Sequence, residues 1–292
     1  SGPCAGRAGA RPRSSSTNTS TFTAEDGAFR EAILSYFAEH GRSFPWRYVE
    51  DPYAVLVSEF MLQQTQTARV VPKYAAWLAA FPGFRDLAEA PLSEALRLWS
   101  GLGYNRRGKW LWEAGRAVME RHGGRLPADE EELDALPGVG PYTARAVLAF
   151  AFGIPSAFIE TNIRRVFIHF FFNAREEAVR DDEILPIVER TMDRDDVRSW
   201  YYALMDYGAG LPAVTPNPNR KSAAYTRQSR FKGSNREARG AILKALVSGR
   251  GIGFDEISRE TGIDLERLAK AGADLCAEGL IRSNGFGGYT IE

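Results

Sequence analysis

The stretch LPGVGPYTARAVLAFAFG, residues 136–153, sets two glycines and a proline between two helical patterns. Before it, PADEEELDAL reads as a short acidic helix. After it, Val147, Leu148, Phe150, Ala151 and Phe152 are apolar, with no breaker until Gly153. So tight a turn can aim the main-chain amides near Gly138, Gly140 and the next helix start outward together. Glycines let a ligand approach the backbone, and Pro141 suits the first helical turn, where no donor is lost. The helix N-terminus adds partial positive charge. Phosphate is the ligand that fits, and a sequence-blind grip on a nucleic-acid backbone uses such contacts. A plain helical hairpin with a glycine turn is the alternative.

Two carboxylates raise a second kind of chemistry. Glu59 has Val55, Leu56, Val57, Phe60, Met61 and Leu62 around it. A carboxyl in apolar surroundings holds its proton to higher pH, which suits a general acid. The alternative is a surface glutamate on an amphipathic helix. Glu160 opens TNIRRVFIHFFF, where a helix-start acid is favoured by the dipole. Gln63, Gln64 and Gln66 cluster at a helix end beside Glu59. Arg106, Arg107, Lys109, Arg164 and Arg165 add charge near these segments and read as phosphate contacts or as a solvated face.

The elements that position these groups are helical. TAED at residues 23–26 is a capping-box-like start for a helix running to about His40. GRSFPWR is a loop. Residues 52–81 are helical with a break expected at Pro72. PLSEALRLW and RRGKWLWEAGRAVMERHG are amphipathic helices joined by SGLGYN; TNIRRVFIHFFF, DDEILPIVERTM and VRSWYYALMDYGAG follow. No run of alternating strands precedes residue 230, so the main body is all-α. Residues 214–236 then carry a basic run, Arg220, Lys221, Arg227, Arg230 and Lys232, expected to be a connector that orders on binding. Residues 237–292 read as three helices and a glycine-turned hairpin, a winged-helix-like unit.

The 292 residues suffice for two modest domains. The formal net charge is +0, so a polyanionic partner has to meet a local basic surface. The cysteines, Cys4 and Cys276, supply neither a disulfide framework nor a four-ligand metal site. No apolar run approaches the roughly 18 residues a membrane span requires, and no membrane partner is expected. Residues 1–22 are rich in Gly, Ser, Arg and Pro and are expected to be a disordered tail; an organelle transit peptide is the alternative. A cytoplasmic, nucleoid-associated monomer is the expectation.

Residues 43–213 resemble the helix-hairpin-helix DNA glycosylase superfamily, and within it the MutY-type A/G-mismatch adenine glycosylases. FPWR, DPYAVLVSEFMLQQTQTARV, LWSGLGYNRRGKWL, LPGVGPYTARAVLAF, IETNIRRVF and ALMDYGA carry the resemblance, in order and spacing. SEFMLQQTQ is the most specific of them. The resemblance implies two helical subdomains with a DNA-binding cleft between them, over residues 23–213. The six-helix part spans about 48–155, and residues 23–47 and 156–213 form the rest. The implied partner is double-stranded DNA holding a lesion or mismatch.

The resemblance also implies roles. Glu59 stands where the family keeps the acid that protonates the departing base. Glu160 stands where the family has an aspartate facing the cationic sugar, the two-carboxyl logic of glycoside cleavage. The extra methylene shifts its carboxylate by about a bond length, and misplacement of roughly 1 Å can be costly in rate. Tyr142 occupies the position at which bifunctional lyases carry a Schiff-base lysine, so base removal without strand cleavage is expected; Lys73 and Lys109 lie outside that position. Gln64 matches the wedge that fills the gap left by a flipped base, Tyr104 can stack beside the opposite base, and Trp46 and Arg47 border the same region. Many members carry a four-cysteine iron–sulfur loop after MDYGA. Residues 210–231 here contain no cysteine, so no cluster is expected; a monovalent cation at the hairpin is allowed. The 8-oxoguanine-reading domain of full-length adenine glycosylases is replaced by the winged-helix-like unit. Adenine in a mismatch is the first substrate expectation. Uracil, thymine or an alkylated base is the second, and a non-catalytic DNA-structure binder on a glycosylase frame is the rival.

Overall fold

The computed structural model describes residues 22–226, 230–248, 253–284 and 288–291. Most of the expected tail over 1–22 lies outside the described residues, as does Arg227.

Helix α1 (Ala24–His40) starts at the expected capping box: the Thr23 hydroxyl accepts from the Asp26 amide at 3.2 Å, and Asp26 accepts from the Thr23 amide at 2.8 Å. Asp26 is fully buried because it also takes both guanidinium branches of Arg190 at 2.9 Å. Arg190 sits on α10 (Asp181–Thr191), so the cap ties the first helix to a distant one. With α9 (Thr161–Phe171) and α11 (Val197–Gly210) these helices form one subdomain.

The other subdomain comprises α2 (Pro52–Leu62), α3 (Thr67–Ala80), α4 (Phe84–Glu89), α5 (Leu92–Trp99), α6 (Arg106–His122), α7 (Glu130–Asp134) and α8 (Pro141–Phe152). One hydrophobic core runs through both subdomains and includes Phe60, Trp77, Trp99, Phe167 and Trp200. Helix α2 is buried from Tyr53 to Met61. A helix apolar on every side belongs at the centre, and this places the single carboxylate it carries, Glu59, deep in the protein.

Two local expectations change. Pro72 lies inside α3 and does not end it. The partner it fails to donate to is the carbonyl of Ala68, an exposed residue that water can reach. The break falls at residues 63–66 instead, where Gln64 is left-handed at φ 52°. The short α4 was not foreseen.

The basic connector does not begin at residue 214. Two short 3-10 turns, Leu211–Ala213 and Pro218–Lys221, continue the helical body. Asn219 is buried against α9 and donates to the Thr161 carbonyl at 2.9 Å. Val179 and Ser222 form an isolated parallel bridge, so the body extends to about residue 223. The reason is local: asparagine side chains in TPNPN satisfy backbone groups that a free loop would leave to water.

The last unit has α12 (Asn235–Val247), α13 (Phe254–Thr261), α14 (Leu265–Ala277) and an antiparallel hairpin, β1 (Arg282–Ser283) with β2 (Tyr289–Thr290). It starts two residues before the expected boundary. Its small core of Ile242, Leu268, Leu275 and Leu280 takes in Leu92 and Leu96 of α5.

Candidate active site

A cavity of about 480 Å³ opens between the subdomains. That is within the roughly 300–1,000 Å³ of small-molecule sites. Glu59, Tyr142, Glu160, Trp46, Arg47, Gln63 and Gln64 all line it, so the tertiary fold gathers these residues from four separate segments of chain. None is adjacent to another functional group by helix periodicity except Glu59 and Gln63.

Glu59 is 8% exposed. Burial, and secondarily the charge of Glu160, push its carboxyl up to about 8. It is therefore protonated at neutral pH, the state a general acid needs. Glu160 is held differently. It is the N-cap of α9, and its Oε1 accepts from the amides of Asn162 at 2.7 Å and Ile163 at 2.8 Å, while Oε2 accepts from Asn162 Nδ2 at 3.3 Å. Burial raises its carboxyl; those amides, Arg165 and Arg164 act in the opposite direction. The extra methylene is thus spent on curling the carboxylate back onto its own helix end. Short side chains are the usual N-caps, and Glu160 reaches the same amides by folding over.

Tyr142, on α8, packs edge-on against Phe158 with ring centroids 5.6 Å apart. Burial, then Glu59 and Glu160, hold its phenol well above its ordinary value. It stands in the cavity as a neutral hydroxyl. Trp46 is 6% exposed and stacks on Phe44 at 4.9 Å, so it forms a fixed wall.

Several arginines expected on DNA are engaged inside the protein. Arg47 donates twice to Asp206 of α11, at 2.8 and 2.6 Å, and lies over the Tyr202 ring. Asp206 also takes the amide and Nε of Arg42, each at 2.7 Å, and is held well ionised despite its burial. This network pins the FPWR loop to α11 and was missed in the sequence, because residues 159 apart give no local signal. Arg107 is 5% exposed and donates to the carbonyls of Phe60 and Gln63 and to the Thr65 hydroxyl. It caps the C-terminal end of α2 and supports the turn that carries Gln64. Arg164 pairs with Asp181 through bonds of 2.6 and 2.7 Å. Arg165 reaches Asn217, Asn162 and the Gly208 carbonyl. Lys221 donates to the carbonyls of Asn173 and Arg175. These five hold the frame. Arg106 pairs with Glu278 at 3.3 Å, while Arg220 and Arg230 are exposed.

The hairpin divides its two glycines. Gly138 has φ 74°, and a Cβ there would strike Trp110 and Phe60. Its role is close packing, not ligand approach. Gly140 is the N-cap of α8, and a Cβ there meets nothing within 4 Å, so it faces open space. Gln64 is exposed and left-handed, at the lip of the cavity. Gln63 donates to the Thr143 hydroxyl at 3.3 Å, and Gln66 caps α3 without a side-chain bond. Tyr104, also left-handed at φ 48°, lies outside the cavity on an adjoining groove.

The segment after α11 contains no cysteine and is filled by the 3-10 turns described above. Among the described residues, no three His, Cys, Asp or Glu side chains converge as metal ligands would.

Comparison with known proteins agrees with this geometry. A helix-hairpin-helix motif model matches residues 121–150. The chain is 34% identical to the adenine DNA glycosylase of Mycobacterium tuberculosis over 242 residues, 73% of this chain and 77% of that protein. It is 45% identical to the human adenine DNA glycosylase over 152 residues, 49% of this chain but only 28% of the human protein's length. Among solved structures, a thermostable thymine-DNA glycosylase superposes with a TM-score of 0.60 at 28% identity, covering 68% of this chain and 93% of that one. With the hairpin, the cavity between the subdomains and the mycobacterial relative matched over 77% of its length, the chain belongs to the helix-hairpin-helix superfamily of DNA glycosylases.

Proposed function

We propose that the protein is a monofunctional DNA glycosylase of base excision repair. It flips a base from double-stranded DNA into the cavity and hydrolyses the N-glycosidic bond. The observation that carries this is the pair of carboxyls in one cavity with different partners: burial raises both, but Glu59 has no opposing partner and is pushed up to about 8, whereas the amides of Asn162 and Ile163, with Arg165 and Arg164, work against the rise at Glu160. Glu59 donates its proton to the departing base. As the bond to the sugar breaks, the ring becomes cationic, and the Glu160 carboxylate stabilises it at short range where water is scarce. Water then attacks the sugar carbon. Glu59, now ionised, is placed to take the proton this water releases. Tyr142 has no amine and forms no Schiff base, so the strand stays intact.

Adenine in a mismatch is the proposed substrate, in line with the adenine glycosylase relatives; thymine, the base named for the structural neighbour, is the second candidate. The reading includes a monomer working on nucleoid DNA in the cytoplasm, without an iron–sulfur cluster and with a monovalent cation allowed at the hairpin. The test is a panel of duplexes, each with one modified or mismatched base, incubated with the protein and then heated in alkali. Base loss with strand breakage only after alkali is the expected result. Breakage before alkali, with a borohydride-trapped adduct, would contradict it. Absence of excision on every duplex, together with tight binding, would favour the non-catalytic binder.

A further inference from the structure

A chain of hydrogen bonds runs from the Glu160 carboxylate out of the cavity. Oε2 accepts from Asn162 Nδ2 at 3.3 Å. Oδ1 of that same amide accepts from Arg165 Nη1 at 3.0 Å. Arg165 Nε in turn donates to Asn217 Oδ1 at 3.1 Å. Asn217 caps the short 3-10 turn Pro218–Lys221, and its oxygen also accepts from the Asn219 amide at 3.2 Å.

The order of donors fixes each link. An arginine side chain donates and never accepts, so both asparagines must turn their oxygens to Arg165. For Asn162 this leaves the NH2 end towards Glu160; a flipped amide would set an oxygen against the carboxylate. Arg165 cannot drift with Asn162, because its Nη1 is also held by the Gly208 carbonyl of α11. The backbone is held as closely. A Cβ on Gly208 would strike the Asn162 carbonyl, so α11 lies directly on the first turn of α9. Asn219, 5% exposed, donates to the Thr161 carbonyl from the other side.

We propose that Asn217 is a positioning residue for the reaction: through Arg165 and Asn162 it fixes the orientation of the Glu160 carboxylate. The proposal rests on the glycosylase reading, which gives Glu160 its task at the sugar. Glutamate has an extra rotatable bond relative to aspartate, so its carboxylate has more freedom to lose. The amides of Asn162 and Ile163 hold Oε1. Asn162 Nδ2 then sets the rotation of the carboxylate about that point. Arg165 also opposes the rise of the Glu160 carboxyl. Glu59 faces Glu160 from α2 and Tyr142 from α8, with Arg164 and Arg165 on its own helix. Gly208, Asn217 and Asn219, which pack there from α11 and the turn, bring no charge. Releasing Arg165 from Asn217 therefore loosens a cation and lets Glu160 take up its proton at higher pH.

The test uses three variants of the full chain. Asn217→Asp keeps an oxygen for both donors. Asn217→Ser keeps an acceptor for the Asn219 amide, and so the cap of the turn, but is too short for Arg165. Asn217→Ala loses both. Single-turnover excision by the Ser and Ala variants should fall roughly a hundredfold, with duplex affinity unchanged and the acid limb of the pH profile moved to higher pH. Asn217→Asp should recover most of the rate. Melting separates capping from positioning: the Ser variant should melt near wild type and yet be as slow as the Ala variant. A wild-type rate in Asn217→Ser, or slow rates only in variants that melt early, would overturn the proposal. A second readout needs no turnover. In protein carrying 13C-labelled glutamate, with the Glu160 signal assigned by its loss in Glu160→Gln, the carboxyl should titrate at higher pH in Asn217→Ser than in wild type. An unchanged titration overturns the positioning role whether or not any duplex is cut. A shifted titration with no excision on any duplex leaves the bond chain in place and removes the glycosylase reading on which its use rests.

Discussion

Glu59 and Glu160 are the same residue type with different tasks, and the difference comes from their surroundings. With Glu59 titrating at about 8 and required as an acid, single-turnover excision should fall about tenfold per pH unit above that value. Glu160 must be ionised, so a low-pH limb completes a bell. Glu59→Gln should lose roughly a hundred- to ten-thousand-fold in excision rate while duplex binding changes only a few-fold. It should also stabilise the fold. The carboxyl is raised in the folded protein, so wild-type stability is full below the ordinary carboxyl value, near 4.5, and is lost as pH rises to about 8. The melting temperature of Glu59→Gln should therefore exceed that of wild type clearly at pH 7.5 and hardly at pH 4. An equal difference at both pH values would mean that Glu59 ionises freely. Glu160→Gln should abolish turnover because an amide cannot balance the sugar cation, and Glu160→Asp should retain some. Wild-type turnover by Glu160→Gln would reduce the residue to a helix cap.

At the scale of elements, the hairpin and the FPWR loop are held by interactions of opposite character. Gly138 is locked by sterics. An alanine there carries about 1–3 kcal/mol of backbone strain and about 1–3 kcal/mol of overpacking against Trp110 and Phe60. Gly138→Ala should lower the melting temperature strongly. Gly140→Ala should leave it nearly unchanged and act on duplex affinity alone, since its Cβ enters open space. Thermal melts and binding isotherms on the pair separate packing from contact. The FPWR loop depends on charge: Asp206→Asn leaves Arg47 buried without its partner and should cost about 3–5 kcal/mol. Denaturant titration measures this, and a change near zero would show that the network is dispensable.

At the scale of the whole molecule, the terminal unit is joined to the body by apolar packing as well as by ion pairs, since Leu92 and Leu96 of α5 are part of its core. Of the basic run before it, Lys221 belongs to the frame and Arg220 and Arg230 remain exposed. The double variant Arg220→Ala, Arg230→Ala should weaken binding to every duplex alike and lower the salt slope by at most about two units, with no change in melting temperature. Lys221→Ala should do the reverse, lowering stability with little effect on the slope.

The helices, their all-α class, the hairpin and the buried setting of Glu59 were legible in the chain, because apolar periodicity and a run such as VLVSEFML report burial locally. The capping box at Thr23 was legible for the same reason, since its partners are three residues apart. The fate of the arginines was not. Arg47, Arg107, Arg164 and Arg165 look alike in sequence whether they meet phosphate or a carboxylate, and only the fold supplies Asp206, the end of α2, Asp181 and Asn217 as partners. Gly138 and Gly140 are two residues apart in one motif, yet Trp110 crowds one and leaves the other open. Pro72 reads as a break until its helix is seen with an exposed residue at the unpaired carbonyl. The chain of bonds from Asn217 to Glu160 was invisible for a deeper reason. Its outer link joins residues 52 apart, and sequence patterns report which side of a helix is buried, not which distant segment will face it.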